Sequence, residues 1–157
     1  MISNSTPIIC LSKLNRLDLL NKVYGKITIP PSVKREVLIK GKPGYYQIQN
    51  ALEKKWLLVE KPRSKKGFGL HEGENQAINL ALEKKQPLLL DDYAATVTAK
   101  ALGIKTERTT TVIFRALSKK TISKEQAITM LNKLVENGYY IAPPEYTALL
   151  TKLSQTK

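Results

Sequence analysis

Cysteine and histidine are almost missing from this chain. Cys10 is the single cysteine among 157 residues, which excludes a disulfide framework and a cysteine-rich zinc module. It sits in the apolar run Ile8-Ile9-Cys10-Leu11, where a thiol reads as a packed structural group rather than a reactive one. His71 is the only histidine. A multi-histidine metal site is excluded, and a Ser-His-Asp triad has no histidine to spare. No apolar run approaches the ~20 residues that a membrane span needs. Residues 1–12 show no basic start, long apolar stretch and small-residue cleavage site. The sequence therefore predicts no signal peptide and a cytoplasmic location. Repeats and low-complexity tracts are absent as well.

Acids are scarce. Thirteen Asp and Glu face 26 Lys and Arg, for a net charge of +13. A core does not need that excess, which points to a polyanionic partner, either nucleic acid or an anionic membrane surface. What is present in ordinary amount is the material of a globular domain, 42% hydrophobic and 25% charged. The length predicts a single domain, 1–157, with a real core.

The charge is unevenly spread. Residues 1–70 hold 14 basic and 4 acidic side chains, whereas residues 71–157 hold 12 and 9. The densest basic run comprises Lys54, Lys55, Lys61, Arg63, Lys65 and Lys66. Such a run is either a solvated loop or a surface for a phosphate backbone. The later acids include Glu72, Glu74, Asp91 and Asp92, and a basic surface beside an acidic cluster suggests a backbone-binding face flanking a metal site.

Short apolar runs alternate with helical patterns. Met1 to Ser3 reads as a strand, followed by Pro7 in the first turn of a helix with Ser5 or Thr6 as its cap. Ile8, Leu11, Leu14, Leu17 and Leu20 keep a helical rhythm through two helices, the second closed by Gly25. Ile27 to Ile29, Trp56 to Val59, Leu88 to Leu90 and Ile104 to Thr106 are further strand candidates. Leu88-Leu89-Leu90 is wholly apolar, as a parallel strand covered on both faces requires. Helices are expected after Pro30-Pro31, from Tyr45 to Lys55, from Gly73 to Lys85, from Tyr93 to Leu102 and around Val112 to Leu117. Ser123 and Gln126 form a capping box that starts a helix running to about Glu136, and a last helix follows Pro143-Pro144. The fold class is therefore α/β with a parallel sheet.

In such folds sites lie at the carboxyl ends of strands. The polar residues placed there are Asn4-Ser5-Thr6 and Asp91-Asp92. The aspartates have an ordinary explanation, since acids favour a helix start. Glu74 precedes Ala77 and Ile78 by three and four residues, and Glu36 adjoins Val37. Both carboxylates are expected at the edge of a core-facing stripe, where an unpaired charge needs a cation. If these acids converge with Asn4, the all-oxygen set suits Mg²⁺ or Mn²⁺, which can activate water against a phosphodiester.

The same residues resemble a PIN domain, in particular the stand-alone prokaryotic PIN-like proteins related to VapC-type toxins. Ser3-Asn4-Ser5-Thr6-Pro7-Ile8-Ile9 looks like the first motif, and Ile29 to Val37 looks like the second, with Glu36 as its acid. Gly73-Glu74-Asn75-Gln76-Ala77-Ile78 looks like the third, and Leu88 to Asp92 looks like the fourth. The resemblance covers nearly the whole chain. It implies a three-layer α/β/α fold around four or five parallel strands and a Mg²⁺- or Mn²⁺-dependent endoribonuclease. Its implied catalytic set is Asn4, Glu36, Glu74 and Asp92, with Asn4, Glu74 and Asp92 on the metal and Asp91, Ser5, Thr6 and Thr109 in support. Lys61, Arg63, Lys65, Lys66 and Arg108 would hold RNA. Family members often form homodimers, and many are toxins neutralised by a small antitoxin.

Three departures stand out. Position 4 is Asn where the motif allows Asp or Asn, and the amide brings no charge. Thr96 replaces an Arg after the acidic pair. Arg108-Thr109-Thr110-Thr111 replaces a Gly-Thr-x-Gly loop, although Thr109 keeps the hydroxyl. The alternative reading is a catalytically degenerate PIN-like module that binds nucleic acid or a partner.

Overall fold

The computed structural model describes residues 1–156. Five parallel strands form one sheet: β1 (Ile2–Ser3), β2 (Ile27–Ile29), β3 (Leu57–Val59), β4 (Leu88–Leu89) and β5 (Thr106–Glu107), in the order β3-β2-β1-β4-β5. Nine helices surround it among the described residues. The crossovers between successive strands carry α1 (Ser5–Lys13) and α2 (Asp18–Tyr24), then α3 (Pro31–Val37) and α4 (Tyr45–Glu53), then α5 (Glu72–Lys84), then α6 (Tyr93–Ala101). After β5 come α7 (Thr109–Ser118), α8 (Lys124–Glu136) and α9 (Pro143–Gln155).

Alternation along the strands builds the three layers. Leu88 and Leu90 face a cluster with Ala77, Ile78, Ala95 and Ala99 of α5 and α6. Leu89 faces the opposite and larger cluster, with Ile8, Leu11, Val112 and Ile113. All three leucines are 0–1% exposed, and each contributes about 1.5–3 kcal/mol by leaving water. The sheet is therefore covered on both faces, and the all-apolar run is its consequence in sequence.

Two local expectations need correction. The cap of α1 is Asn4, not Ser5 or Thr6. The chain passes from strand to helix within one residue, and Asn4 alone holds the extended backbone that a cap position requires (φ −80°, ψ 177°). The fifth strand is Thr106–Glu107 rather than Ile104 to Thr106. Ile104 instead fills the α6 cluster, and the polar pair joins the sheet edge in register with Leu88 and Leu89. An edge strand needs no apolar run. Glu107 is secured by the Tyr24 hydroxyl at 2.6 Å and by Arg115 at 2.6 and 2.8 Å.

Candidate functional site

The strand order reverses between β1 and β4, and the crevice beyond their carboxyl ends is where an open α/β sheet places its ligand. Asn4 leaves β1 at that point. Its amide still donates to the Leu89 carbonyl across the sheet at 2.9 Å. Its side chain is nearly buried, at 4% exposure, and Oδ1 has no hydrogen-bond partner. An unsatisfied buried acceptor costs about 1–3 kcal/mol. It is also the kind of oxygen that a hard cation coordinates.

A pocket of about 420 Å³ opens over this atom, lined by Asn4, Ser5, Thr6, Glu36, Glu72 and Glu74, with His71 at its rim. Glu74 is the third residue of α5, and its carboxylate reaches back to accept the His71 amide at 3.1 Å. Burial pushes its carboxyl above the ordinary Glu range. Asp92 and Glu36 push it further, against the opposing His71 bond. The charges of Asp92 and Glu36 thus act on Glu74, opposed by His71.

Glu36 departs from expectation. It is exposed rather than tucked at the edge of the core. Its carboxylate lies across the first turn of α5 against Gly73, where an added Cβ would sit 2.6 Å from Oε1. Glycine at that helical position is what admits the carboxylate. Glu72 is already engaged, by Arg35 at 3.0 and 3.1 Å and by Gln76 at 2.9 Å. Glu36 and Glu74 remain as the uncompensated acids of the pocket.

The two aspartates after β4 have separate positions. Asp92 is the N-cap of α6, accepting from the Ala95 amide at 2.8 Å, and it is exposed. It acts on Glu74 through its charge without lining the pocket. The Asp91 side chain is 7% exposed and accepts from the Thr109 amide at 2.9 Å, the Thr109 hydroxyl at 2.6 Å and the Tyr139 hydroxyl. The hydroxyl of fully buried Thr109 is therefore turned to Asp91, away from the Asn4 pocket. Tyr139 and His71 were not legible as neighbours of the site. Glycine before Glu74 is the one signal that could have marked the Glu36 contact.

A family model described as a PIN domain (DUF3368) matches residues 1–155. The chain belongs to the PIN-domain family. PIN domains are generally nucleases that act on nucleic acids and use divalent metal ions. Among solved structures, the chain is similar to a PilT N-terminus domain protein, SSO1118, from the archaeon Sulfolobus solfataricus P2. The identity is 22%, the TM-score is 0.54, and the match covers 74% of this chain and 94% of that one. This likeness supports the fold. No curated protein matches the chain.

The donor set of this PIN-domain pocket fits a hard cation. Among the described residues, no three His, Cys, Asp or Glu side chains are grouped so as to hold a metal by themselves. Magnesium does not require such a cage, because it keeps several waters and binds through one or two carboxylates. The buried Asn4 Oδ1 would supply the remaining protein oxygen. Lys61, Arg63, Lys65 and Lys66 are exposed on the loop before α5. Arg108 is committed inward: it donates to Glu145 at 2.7 Å and to the Tyr140 carbonyl at 3.2 Å, and it lies over the Tyr139 ring. Its Nε is 3.7 Å from Asp91, an ion-pair contact too long for a hydrogen bond. No described helix is long and apolar enough to cross a membrane.

Proposed function

We propose that this PIN-domain protein is a Mg²⁺- or Mn²⁺-dependent endoribonuclease, the toxin of a toxin–antitoxin pair, working as a cytoplasmic homodimer. The observation that carries the reading is the unpartnered, buried Asn4 Oδ1 in a pocket with Glu36 and Glu74. Asn4, Glu74 and Asp92 are assigned to the metal. A bound divalent cation supplies an acidified water and a counter-charge for a phosphodiester. The chain's own part is to place oxygens and charge. Asn4 presents a neutral ligand held by β1. Glu74, whose carboxyl is held above its ordinary range first by burial and then by the charges of Asp92 and Glu36, is suited to take a proton from a water in the pocket. Ser5 and Thr6 at the start of α1 line the same pocket as hydroxyl donors. Asp91 and Thr109 support the strand end, and Lys61, Arg63, Lys65 and Lys66 contribute the field that holds RNA, while the charge of Arg108 is spent on Glu145 and Asp91.

The test is cleavage of single-stranded RNA by purified protein in Mn²⁺, with EDTA and Glu74→Gln as controls. The expected result is metal-stimulated endonucleolytic cleavage lost in both controls. Cleavage that survives Glu74→Gln contradicts this site.

A second reading, a catalytically degenerate module that binds nucleic acid or a partner, has its own support. Asn4 brings no charge, and Arg108 and Thr111 stand where the resembled Gly-Thr-x-Gly loop has glycines. It predicts salt-sensitive RNA binding with no metal-dependent turnover.

A further inference from the structure

The basic loop beside the pocket is not a loose strand of lysines. Residues 60–71 connect β3 to α5, and five hydrogen bonds from side chains of α5 strap their backbone down. Glu83 accepts the amides of Arg63 at 3.1 Å and Ser64 at 2.7 Å. Asn75 accepts the Phe68 amide at 3.0 Å and donates to the Leu70 carbonyl at 2.8 Å. Asn79, almost fully buried, donates to the Lys66 carbonyl at 2.8 Å. An exposed carboxylate is thus used to fix a basic backbone, and the two amide donors hold the Glu83 carboxyl below its ordinary range.

Between loop and helix lies a basin of about 610 Å³, with Lys61, Lys65 and Lys66 on one wall and Asn75, Gln76 and Asn79 on the other. Its size falls in the range of built ligand sites, roughly 300–1,000 Å³. Glu72 lines both this basin and the Asn4 pocket, so the two adjoin. Most of the amide groups able to read a base edge are occupied, and Asn79 Oδ1 is the exception. Gln76 is bonded to the Ser32 hydroxyl at 2.8 Å and to Glu72 at 2.9 Å, and Asn75 and Asn79 hold the loop. The charged groups left to meet a ligand are the lysines.

We propose that this basin is a preorganised phosphate clamp for single-stranded RNA, holding the strand next to the Asn4–Glu74 pocket through its backbone and without reading bases. It rests on the nucleic-acid reading above and adds a location, a ligand group and an absence of base selectivity. Preorganisation matters because three flexible lysines on a mobile loop would lose affinity to the cost of ordering them.

The experiment is a fluorescence anisotropy titration of labelled oligouridylate and oligoadenylate of equal length, in EDTA, with the Glu74→Gln protein as background. Lys65→Gln with Lys66→Gln should flatten the slope of log K against log salt by about 0.7 per lysine. The two oligomers should bind within about threefold of each other, since stacking alone separates them. Glu83→Ala is the deciding variant. It removes a negative charge, so a general Coulomb field predicts tighter RNA binding. A clamp predicts the reverse, about fivefold weaker binding, because the loop loses two anchors and must be ordered by the ligand. Unchanged or tighter binding in Glu83→Ala overturns the clamp, as does strong preference for one oligomer or a salt slope that ignores the lysines. In those cases RNA binding itself still stands. No binding of either oligomer at low salt overturns the clamp and the nucleic-acid reading together.

Discussion

Tyr139 donates its hydroxyl to the buried carboxylate of Asp91, joining the segment after α8 to the end of β4. The bond spans 48 positions of sequence and meets two further donors, both from Thr109 at the start of α7. Burial, and next the charge of Asp91, push the Tyr139 phenol upward, so it remains a donor across the accessible pH range. Tyr139→Phe should lower stability by about 1.5–3 kcal/mol, the usual worth of a hydrogen bond to a charged group. Asp91→Asn should cost more, since one amide oxygen cannot accept from all three donors and its NH₂ must face one of them. Urea melts of the two variants test the order.

That bond also shows what sequence could and could not reveal. Leu88-Leu89-Leu90 announced a strand buried on both sides because each residue had to be apolar. Ser123 and Gln126 announced a helix start because the capping bonds are local, and α8 begins at the following residue. Asn4 and Glu74 were legible because strand ends and first helical turns are local features too. The separate placements of Asp91 and Asp92 were not. Adjacent aspartates look alike in sequence, and what distinguishes them is Thr109 and Tyr139, brought from elsewhere by the fold. The edge strand at Thr106–Glu107 escaped for the converse reason, as its partners Tyr24 and Arg115 let a polar pair substitute for an apolar run.

Asp92 provides a clean separation of stability from chemistry. It caps α6, and Asn caps as well as Asp, so Asp92→Asn should change stability by less than about 0.5 kcal/mol. Asp92→Ala should lose about 1 kcal/mol from the missing cap. Both should abolish metal-dependent RNA cleavage if the carboxylate charge is required. Thermal melts beside a cleavage assay distinguish the two effects. Full activity in Asp92→Asn would remove it from the metal set.

Gly73 sets stability against function. It lies in the first turn of α5, where alanine is favoured over glycine by at most about 1 kcal/mol. The added methyl would meet the end of the flexible Glu36 side chain, which can swing away at small cost. Gly73→Ala should therefore melt at the same or a higher temperature while displacing Glu36 from the pocket. Weaker Mn²⁺ binding in calorimetry, without loss of stability, is the expected signature.

Cys10 should be inert at neutral pH. Burial, followed by the nearby Asp91 charge, pushes its thiol up to about 11 against the opposing pull of Lys13. An ordinary thiol ionises near 8.5. Iodoacetamide alkylation of the folded protein should therefore keep rising about tenfold per pH unit beyond the point where an unfolded thiol levels off. The stability effect has a definite sign. The folded chain binds this proton more tightly, so its contribution is intact below the ordinary thiol value and is lost as pH climbs toward about 11. Relative to Cys10→Ala, the wild type should weaken over that window. Alkylation that levels off near the ordinary thiol value would show that the thiol is not shielded.

Asn4 is where charge and geometry at the site can be tested separately. Its Oδ1 already lies buried and unpartnered in the pocket, so Asn4→Asp adds charge with little change of shape. In EDTA the new carboxylate joins Glu36, Glu74 and Asp92 without a cation, and like charges should lower the melting temperature. With Mn²⁺ present the sign should invert. An added anionic ligand should tighten binding by about tenfold, because hard-cation affinity follows ligand charge count. The variant should then melt below the wild type in chelator and gain more from metal, since ligand binding to the folded state adds RT ln(1 + [L]/Kd) of stability. A purely structural asparagine predicts destabilisation in both buffers. Melting curves of the two proteins, with and without Mn²⁺, decide between them before any RNA is added.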